Sequence, residues 1–256
     1  MIQERIEDNI VIATLDGEFG NSLDRETLLA MDAIVKKVNE DDELKGIVLT
    51  GNGKMFSSGF NLPMFLGFKD LDEVVGFFEE EEQILLNLFT CKKPTVAALN
   101  GHTIAGGLIY AMACDYRIIK NHPKIKLGMS EIKIGLPLSI AQDGVMRYGF
   151  DSVKKFKDIM FFGRRDIGVE EAKEMDLVDE IIDDPDQLIA RAKEVIISWI
   201  DNPGRAYVFM KQLQKKEAAD EISARLKTMS MRESLNVFFD PGTRKTLEMV
   251  QSMMAK

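Results

Sequence analysis

Two glycines at the start of an apolar helix are the residues of this chain best suited to polarise a carbonyl group. Gly106 and Gly107 follow the apolar run 95–99 and a turn signal at Asn100. Glycine has no Cβ, so a ligand can approach the backbone closely. The first N–H groups of a helix have no partner within it and lie at its partially positive end. The pattern predicts either an ordinary βα turn or a site that stabilises an oxyanion.

A second stretch with related chemistry favours the oxyanion site. Residues 56–62 read F-S-S-G-F-N-L and follow the strand-like segment 46–50 and a Gly-Asn-Gly turn. Together with residues 100–115, and in this order, they resemble the crotonase (enoyl-CoA hydratase/isomerase) superfamily. The usual forms there are F-S-A-G-x-D-L and N-G-x-x-x-G-G-x-x-x-A-x-x-C-D. The resemblance extends over about residues 10–182, where Asp176 replaces a usual glycine.

The resemblance implies an α/β fold, a crotonase-like spiral of ββα units with a helical C-terminal region. Alternating strand-like and helical segments independently favour a mostly parallel sheet covered by helices. We predict a core over 1–195 that binds CoA and carries catalysis, and a helical trimerisation region over 196–256. Its apolar residues 237–239, with Met249, Met253 and Met254, would be buried in a homotrimer or homohexamer.

The resemblance also implies a CoA thioester substrate, whose carbonyl would lie between the backbone N–H groups of Phe60 and Gly106. Hydratases of the family carry two glutamates that hold and activate a water. The first of these positions holds Ile109 here, three residues after Gly106 and on the same helical face. The second holds Glu131, whose neighbours Met129, Ile132 and Leu136 are apolar. Such surroundings raise the pKa of a carboxyl group.

One carboxylate without its partner is typical of the 3,2-trans-enoyl-CoA isomerases, which residues 105–118 also resemble. Glu131 would carry a proton from the α- to the γ-carbon of a 3-enoyl-CoA, while Phe60 and Gly106 stabilise the dienolate. We therefore predict an acyl-CoA double-bond isomerase. The alternatives are another crotonase reaction (hydratase, thioester hydrolase or decarboxylase) and a CoA-binding member of the family without catalysis.

Further residues are predicted to surround the substrate. Those that the resemblance places along the acyl-CoA are Ser58, Gly59, Phe60, Asn61, Leu62, Gly106 and Ser130. The predicted wall of the acyl pocket, which is equally the apolar stripe of a core helix, comprises Leu66, Phe68, Val74, Phe77 and Phe78. Ser139 and Asp143 are weaker candidates for a second polar group. Elsewhere, Asn21 or Ser22 is predicted to cap a helix, and the four glutamates at 79–82 to form a solvated face.

Composition restricts the function further. The chain has 256 residues and a net charge of −9, which opposes nucleic-acid binding. Its two cysteines, Cys91 and Cys114, give no disulfide framework and fit a reducing cytoplasm. No run of apolar residues approaches the length of a membrane span. No metal-ligand spacing is found, and coenzyme A would be part of the substrate, so we expect no separate cofactor and no metal.

Overall fold

The structure is a computed structural model that describes residues 1–254, so the last two residues of the predicted region 196–256 and the side chain of Met254 lie outside the described part. The strands are β1 (Ile2–Glu7), β2 (Ile10–Leu15), β3 (Gly46–Gly51), β4 (Met55–Ser57), β5 (Thr95–Leu99), β6 (His102–Ile104), β7 (Tyr116–Lys120), β8 (Leu127–Gly128) and β9 (Glu180–Ile182).

The α-helices are α1 (Glu18–Asn21), α2 (Arg25–Glu40), α3 (Leu62–Gly67), α4 (Leu71–Phe89), α5 (Gly106–Ala113), α6 (Ile140–Gly149), α7 (Val153–Phe162), α8 (Val169–Glu174), α9 (Leu188–Ile200), α10 (Ala206–Thr228), α11 (Arg232–Leu235) and α12 (Pro241–Met254). Short 3-10 helices span Glu131–Ile134, Pro185–Gln187, Pro203–Arg205 and Asn236–Phe239.

Two sheets give the fold its repeating plan. A six-stranded sheet has the order β1-β2-β3-β5-β7-β9, and a three-stranded sheet has the order β4-β6-β8. Neighbouring strands are parallel except for the β1–β2 hairpin. Each of β3, β5 and β7 is followed by a short strand of the second sheet and then by helices. This confirms the predicted spiral of ββα units.

The first turn and the start of α2 are determined by residues next to them in sequence. The β1–β2 turn lies at Asp8 and Asn9, which have φ values of 52° and 61°, the left-handed conformation that a tight hairpin turn requires. The predicted cap of α2 is wrong, because Asp24 accepts the hydrogen bond from the Thr27 N–H. Asn21 instead donates to the carbonyls of two residues in the β3–β4 region.

The helical C-terminal region packs on the core through α9 and α10. The predicted boundary at residue 195 lies within α9, whose buried residues Val195, Ile196 and Ile200 cover the six-stranded sheet. The predicted division of roles between 1–195 and 196–256 stays a prediction. Tyr207 and Val208 at the start of α10 also pack against the cluster that covers this sheet.

Two buried lysines hold α10 against the core. Lys211 and Lys215 contact the carboxylate of Asp115 with N–O distances of 2.5 and 2.7 Å. Lys215 also donates to the carbonyls of Phe89 and Ala113, the last residues of α4 and α5, where the helix ends are partially negative. Burial alone would raise the pKa of Asp115, but the two ammonium groups outweigh it and lower that pKa to about 2.

Candidate active site

A cavity of about 540 Å³ opens between the second sheet, α3, the 3-10 helix that begins at Glu131, and α12. Five of the residues predicted to contact the substrate line it, namely Ser58, Phe60, Leu62, Ser130 and Glu131. Two glycines predicted for the same role, Gly59 and Gly106, do not line the cavity, but their neighbours Ser58, Phe60 and Ala105 do. The sequence-predicted site residues are therefore brought together, apart from the exceptions below.

Gly59 and Gly106 allow two segments of backbone to come within contact distance. Gly59 has a φ of +95°, and a Cβ on it would lie 2.7 Å from the Ala105 Cβ and 3.0 Å from the Gly106 nitrogen. A Cβ on Gly106 would lie 3.3 Å from the Phe60 nitrogen. A side chain at either glycine would therefore push the two segments apart.

The backbone N–H groups of Phe60 and Gly106 are both free. Leu23 pairs with the flanking residues, because its N–H donates to the Gly59 carbonyl and its carbonyl accepts from the Asn61 N–H. This parallel pairing leaves the Phe60 N–H unused. Within residues 1–254, neither Phe60 nor Gly106 donates its N–H to a protein acceptor. Two adjacent unpaired donors can bind a thioester oxygen and stabilise it when it becomes negative.

Glu131 is the acid–base candidate of the cavity. It begins a short 3-10 helix after β8, and the Ser130 N–H donates to its Oε2 at 2.8 Å. Buried Met129 and Leu136 lie close in sequence. Burial raises the pKa of Glu131 to about 7, although that hydrogen bond acts in the opposite direction. The prediction that Ile132 contributes to this apolar setting is wrong, because its side chain is 52% exposed.

Asn61 was predicted to bind the substrate, but its side chain has a structural role instead. Its Oδ1 accepts from the Met64 N–H at 2.8 Å and so caps α3. Its Nδ2 donates to the Ser22 hydroxyl at 3.0 Å. The side chain is committed to these contacts and does not line the cavity. Its role in this structure is to fix the start of α3 beside Phe60.

Ile109 does not face the cavity, contrary to the helical-spacing prediction. All eight residues of α5 are buried, and Ile109 belongs to the main hydrophobic core rather than to the cavity lining. A helix that is apolar on every side carries no pattern that shows which face meets the ligand. The spacing from Gly106 was therefore insufficient to orient this side chain.

Only Phe78 of the predicted acyl wall lines the cavity, together with Phe65, which the sequence analysis missed. Phe68 and Phe77 pack instead against another aromatic ring: the Phe65 ring lies 5.8 Å from the Phe77 ring and 5.9 Å from the Phe68 ring. Most of the predicted wall residues therefore belong to the hydrophobic core, which was the alternative prediction for them. Phe238, one of the predicted subunit-contact residues, also packs on Phe65, at 5.0 Å.

The C-terminal helix α12 forms one wall of the cavity, although its methionines were predicted to form subunit contacts. Thr246, Met249, Val250 and Met253 line the cavity. Their spacing of i, i+3, i+4 and i+7 places them on one helical face, so the signal was present but was interpreted as an oligomer surface. Met249 and Met253 are 56% and 59% exposed, which places them at the open side of the cavity.

The two weaker candidates lie outside this cavity. The Ser139 hydroxyl caps α6 by accepting from the Gln142 N–H, and the side-chain oxygen of Gln142 accepts from the Ser139 N–H. Asp143 forms ion pairs with Arg147 and Arg225 at 2.9 and 3.1 Å. Gln142 itself does line the cavity and was not predicted. Within residues 1–254, Glu131 is the only carboxylate of the cavity lining.

Comparison with known proteins agrees with this geometry. The human mitochondrial delta3-delta2-enoyl-CoA isomerase superposes with a TM-score of 0.88 at 20% identity, over 99% of this chain and 98% of that one. An enoyl-CoA hydratase from Bacillus halodurans superposes with a TM-score of 0.82 at 25% identity, over 97% and 99% of the two chains. These likenesses establish the crotonase fold.

Sequence comparison identifies the family. Residues 5–244 match the enoyl-CoA hydratase/isomerase family, and the chain therefore belongs to it. The mitochondrial enoyl-CoA delta isomerase 1 of Mus musculus is 26% identical over 205 residues, covering 79% of this chain and 69% of the relative. The Rattus norvegicus protein of the same name is 24% identical over 225 residues, covering 87% and 76%.

The described residues contain neither a candidate metal site nor a candidate membrane-spanning helix. No group of three or more His, Cys, Asp or Glu side chains within residues 1–254 is arranged to hold a metal ion. Over the same range, every helix is too short or too polar to cross a bilayer.

Proposed function

We propose that the protein is an acyl-CoA double-bond isomerase that converts a 3-enoyl-CoA into a 2-enoyl-CoA. One observation carries the proposal: a single carboxyl group, with a pKa of about 7, shares a cavity with Phe60, and within residues 1–254 the backbone N–H groups of Phe60 and of Gly106, which contacts Phe60, are free. A base with a pKa near the working pH is suited to both removing and returning a proton.

In the first step, the Glu131 carboxylate removes a proton from the α-carbon of the thioester. The C–H electron pair forms an enolate that is conjugated with the existing C3=C4 bond, and the negative charge develops on the thioester oxygen. The N–H groups of Phe60 and Gly106 hydrogen-bond that oxygen. One such donor typically stabilises the transition state by about 2.7–4 kcal/mol.

In the second step, the same proton returns at the γ-carbon. The dienolate electrons close a C2=C3 bond, C4 takes the proton from the Glu131 carboxylic acid, and the carboxylate is restored. Atoms and charge balance with one protein base, and no separate cofactor is needed because coenzyme A is part of the substrate. This single-base route matches the single carboxylate of the described cavity lining.

Hydration of a 2-enoyl-CoA is the second candidate activity, and the Bacillus halodurans structure carries that name. Addition of water requires groups that hold the water at the β-carbon. The cavity offers Glu131 but no second carboxylate among residues 1–254, and a water without partners is held poorly. This arrangement supports isomerisation over hydration, while thioester hydrolysis and decarboxylation stay alternatives that the product analysis below distinguishes.

Three further features are part of the proposal. The acyl-CoA is the partner, and we expect neither nucleic acid nor membrane as a ligand. The chain assembles as a homotrimer or homohexamer, now supported by the exposed apolar residues Phe209, Met210 and Leu213 on α10 rather than by Phe238. It acts in the cytoplasm on intermediates of fatty acid metabolism.

The test is the incubation of the purified protein with 3-enoyl-CoA thioesters of several chain lengths, followed by separation of the products. We expect 2-enoyl-CoA to accumulate for at least one chain length. Absence of that product at every length, with acyl-CoA binding shown by calorimetry, would refute the isomerase assignment and leave a CoA-binding protein.

A further inference from the structure

A fully buried glutamate links the two helices that border the cavity. Glu81 on α4 is 0% exposed. Its Oε1 accepts from the Tyr110 hydroxyl at 3.3 Å, and its Oε2 accepts from Nε2 of Gln142 at 3.0 Å. Tyr110 lies on α5 and Gln142 on α6, so one carboxyl group joins both helices. The prediction of a solvated face is therefore wrong for Glu81, and also for Glu82, which is 6% exposed.

Both linked helices carry parts of the site. Tyr110 lies one turn after Gly106, and residues four apart occupy the same helical face. Gln142 lines the cavity and belongs to the capping box that starts α6. The segment before that box supplies Leu136 and Pro137 to the cavity lining. A change in the position of α5 relative to α6 would thus move an oxyanion donor relative to the rest of the site.

We propose that Glu81 is a positioning residue, whose carboxyl group ties α5 to α6 and thereby fixes the Gly106 N–H at the thioester carbonyl. The proposal rests on the proposed function in one respect, because it takes Gly106 to be a donor to the substrate. Glu81 does not line the cavity and acts through its two hydrogen-bond partners.

The surroundings of Glu81 favour its uncharged form. The groups that face it are Glu82 on its own helix, the Tyr110 hydroxyl on α5, and Ser139 and Gln142 on α6, while Asp32 on α2 acts on Tyr110. None of these is a cation. Burial raises the pKa of Glu81 to about 8, Glu82 adds to the shift, and the hydrogen bonds from Gln142, Tyr110 and Ser139 oppose it.

Glu82 has a different task and cannot replace Glu81. Its Oε1 accepts from the N–H groups of Ile140 and Ala141 at 2.7 and 3.2 Å, at the N-terminal end of α6. A carboxylate is favoured there by the helix dipole. An ionised Glu81 beside Glu82 would place two negative charges in one buried region. The hydrogen bonds that Tyr110 and Gln142 donate are nevertheless stronger to a carboxylate than to a neutral carboxylic acid. The link between α5 and α6 is therefore expected to strengthen as the pH rises through about 8.

The experiment uses 2,4-hexadienoyl-CoA as a probe of carbonyl polarisation. Its conjugated chromophore absorbs at longer wavelength when the thioester oxygen accepts strong hydrogen bonds, and the signal needs no turnover. The red shift is recorded from pH 6 to pH 9.5 for the wild-type protein, Glu81→Gln, Glu81→Leu and Glu79→Leu. Glu79 is exposed on the same helix and serves as the control.

We expect the red shift of the wild-type and Glu79→Leu proteins to increase between pH 7 and pH 9, as Glu81 ionises and accepts stronger hydrogen bonds. Glu81→Gln, which stays neutral, should show no such increase, and Glu81→Leu should show less than half of the wild-type red shift at every pH. Because Glu131 titrates in all four proteins, the difference between Glu81→Gln and wild type isolates Glu81. An identical pH dependence of these two would overturn the proposal, even if Glu81→Leu fails to fold.

Failure of this proposal and failure of the isomerase assignment give different results. A red shift that follows Glu81 as described, in a protein that does not isomerise 3-enoyl-CoA, supports the positioning role and refutes only the assigned reaction. Isomerisation with a red shift that is indifferent to Glu81 refutes only the positioning role. A bound probe without any red shift would refute both, since the two N–H donors would then not contact the thioester.

Discussion

Gly106 brings the start of α5 into contact with Phe60: a Cβ at position 106 would lie 3.0 Å from two carbons of the Phe60 ring and 3.3 Å from its backbone nitrogen. The two residues are 46 positions apart in sequence, yet their N–H groups form one donor pair. Because the Phe60 ring is held by Phe65, Phe77 and Phe78, it cannot move away freely. The donor pair is therefore sensitive to any added atom at residue 106.

We predict that Gly106→Ala lowers kcat/KM for isomerisation by about 10²–10³-fold, the typical effect of losing one oxyanion-hole donor. Gly76→Ala is the matched control, since Gly76 lies on the exposed face of α4 with nothing within 4 Å of its Cβ position. That change should leave activity intact and stabilise the fold by up to about 1 kcal/mol. Equal activities of the two variants would show that Gly106 is not a donor.

Glu131→Gln removes the base and keeps its shape. Loss of a general base typically costs about 10²–10⁴-fold in rate, so we expect kcat to fall within that range while the dissociation constant of a saturated acyl-CoA changes little. Steady-state kinetics and calorimetry measure the two quantities. The control is Glu79→Gln on the surface. Activity of Glu131→Gln within about threefold of wild type would assign the chemistry to another group.

The pH dependence should reveal the same residue. The pKa of Glu131 is raised to about 7 and only the carboxylate accepts a proton, so kcat/KM should rise with pH through about 7. The folded protein keeps the Glu131 proton at pH values where the unfolded chain has lost it. The free energy of unfolding contributed by this group therefore falls between pH 4.5 and about 7. In Glu131→Gln both dependences should disappear, which pH-resolved kinetics and denaturation would test.

Asp115→Asn should lower the free energy of unfolding, although Asp115 does not line the cavity. It would leave Lys211 and Lys215 buried without their carboxylate, and removal of one partner of a buried pair typically costs about 3–5 kcal/mol. Asp220→Asn removes an exposed pair with Lys216 and should cost less than about 1 kcal/mol. Urea denaturation gives both values, and similar values would contradict the anchoring role of Asp115.

The positions where two backbone segments approach closely were predictable from the sequence, because only glycine permits that approach. Gly59 and Gly106 permit an approach that any Cβ would block, and their motifs lie next to strands that are easily identified. Glu131 followed from the resemblance. Its surroundings were predicted less well, because Ile132 adjoins it in sequence but faces solvent.

Contacts between distant helices were not predictable in the same way. The spacing of Met249 and Met253 showed an apolar face but not what that face covers, and the structure places it on the chain's own cavity. Glu81 was interpreted as solvated because glutamate seldom lies buried. Its partners Tyr110 and Gln142 are 29 and 61 residues away, and no local pattern reports such a pairing.

The most direct test of the central claim is the ratio of two rates measured on one preparation, isomerisation of 3-hexenoyl-CoA and hydration of crotonyl-CoA. A site with one carboxylate and two free backbone N–H groups is expected to isomerise efficiently and to hydrate slowly. A water without hydrogen-bond partners loses about 1–3 kcal/mol per unsatisfied group, so we predict that isomerisation is at least about tenfold faster. Hydration that equals or exceeds isomerisation would contradict the assignment and show that another group holds the water.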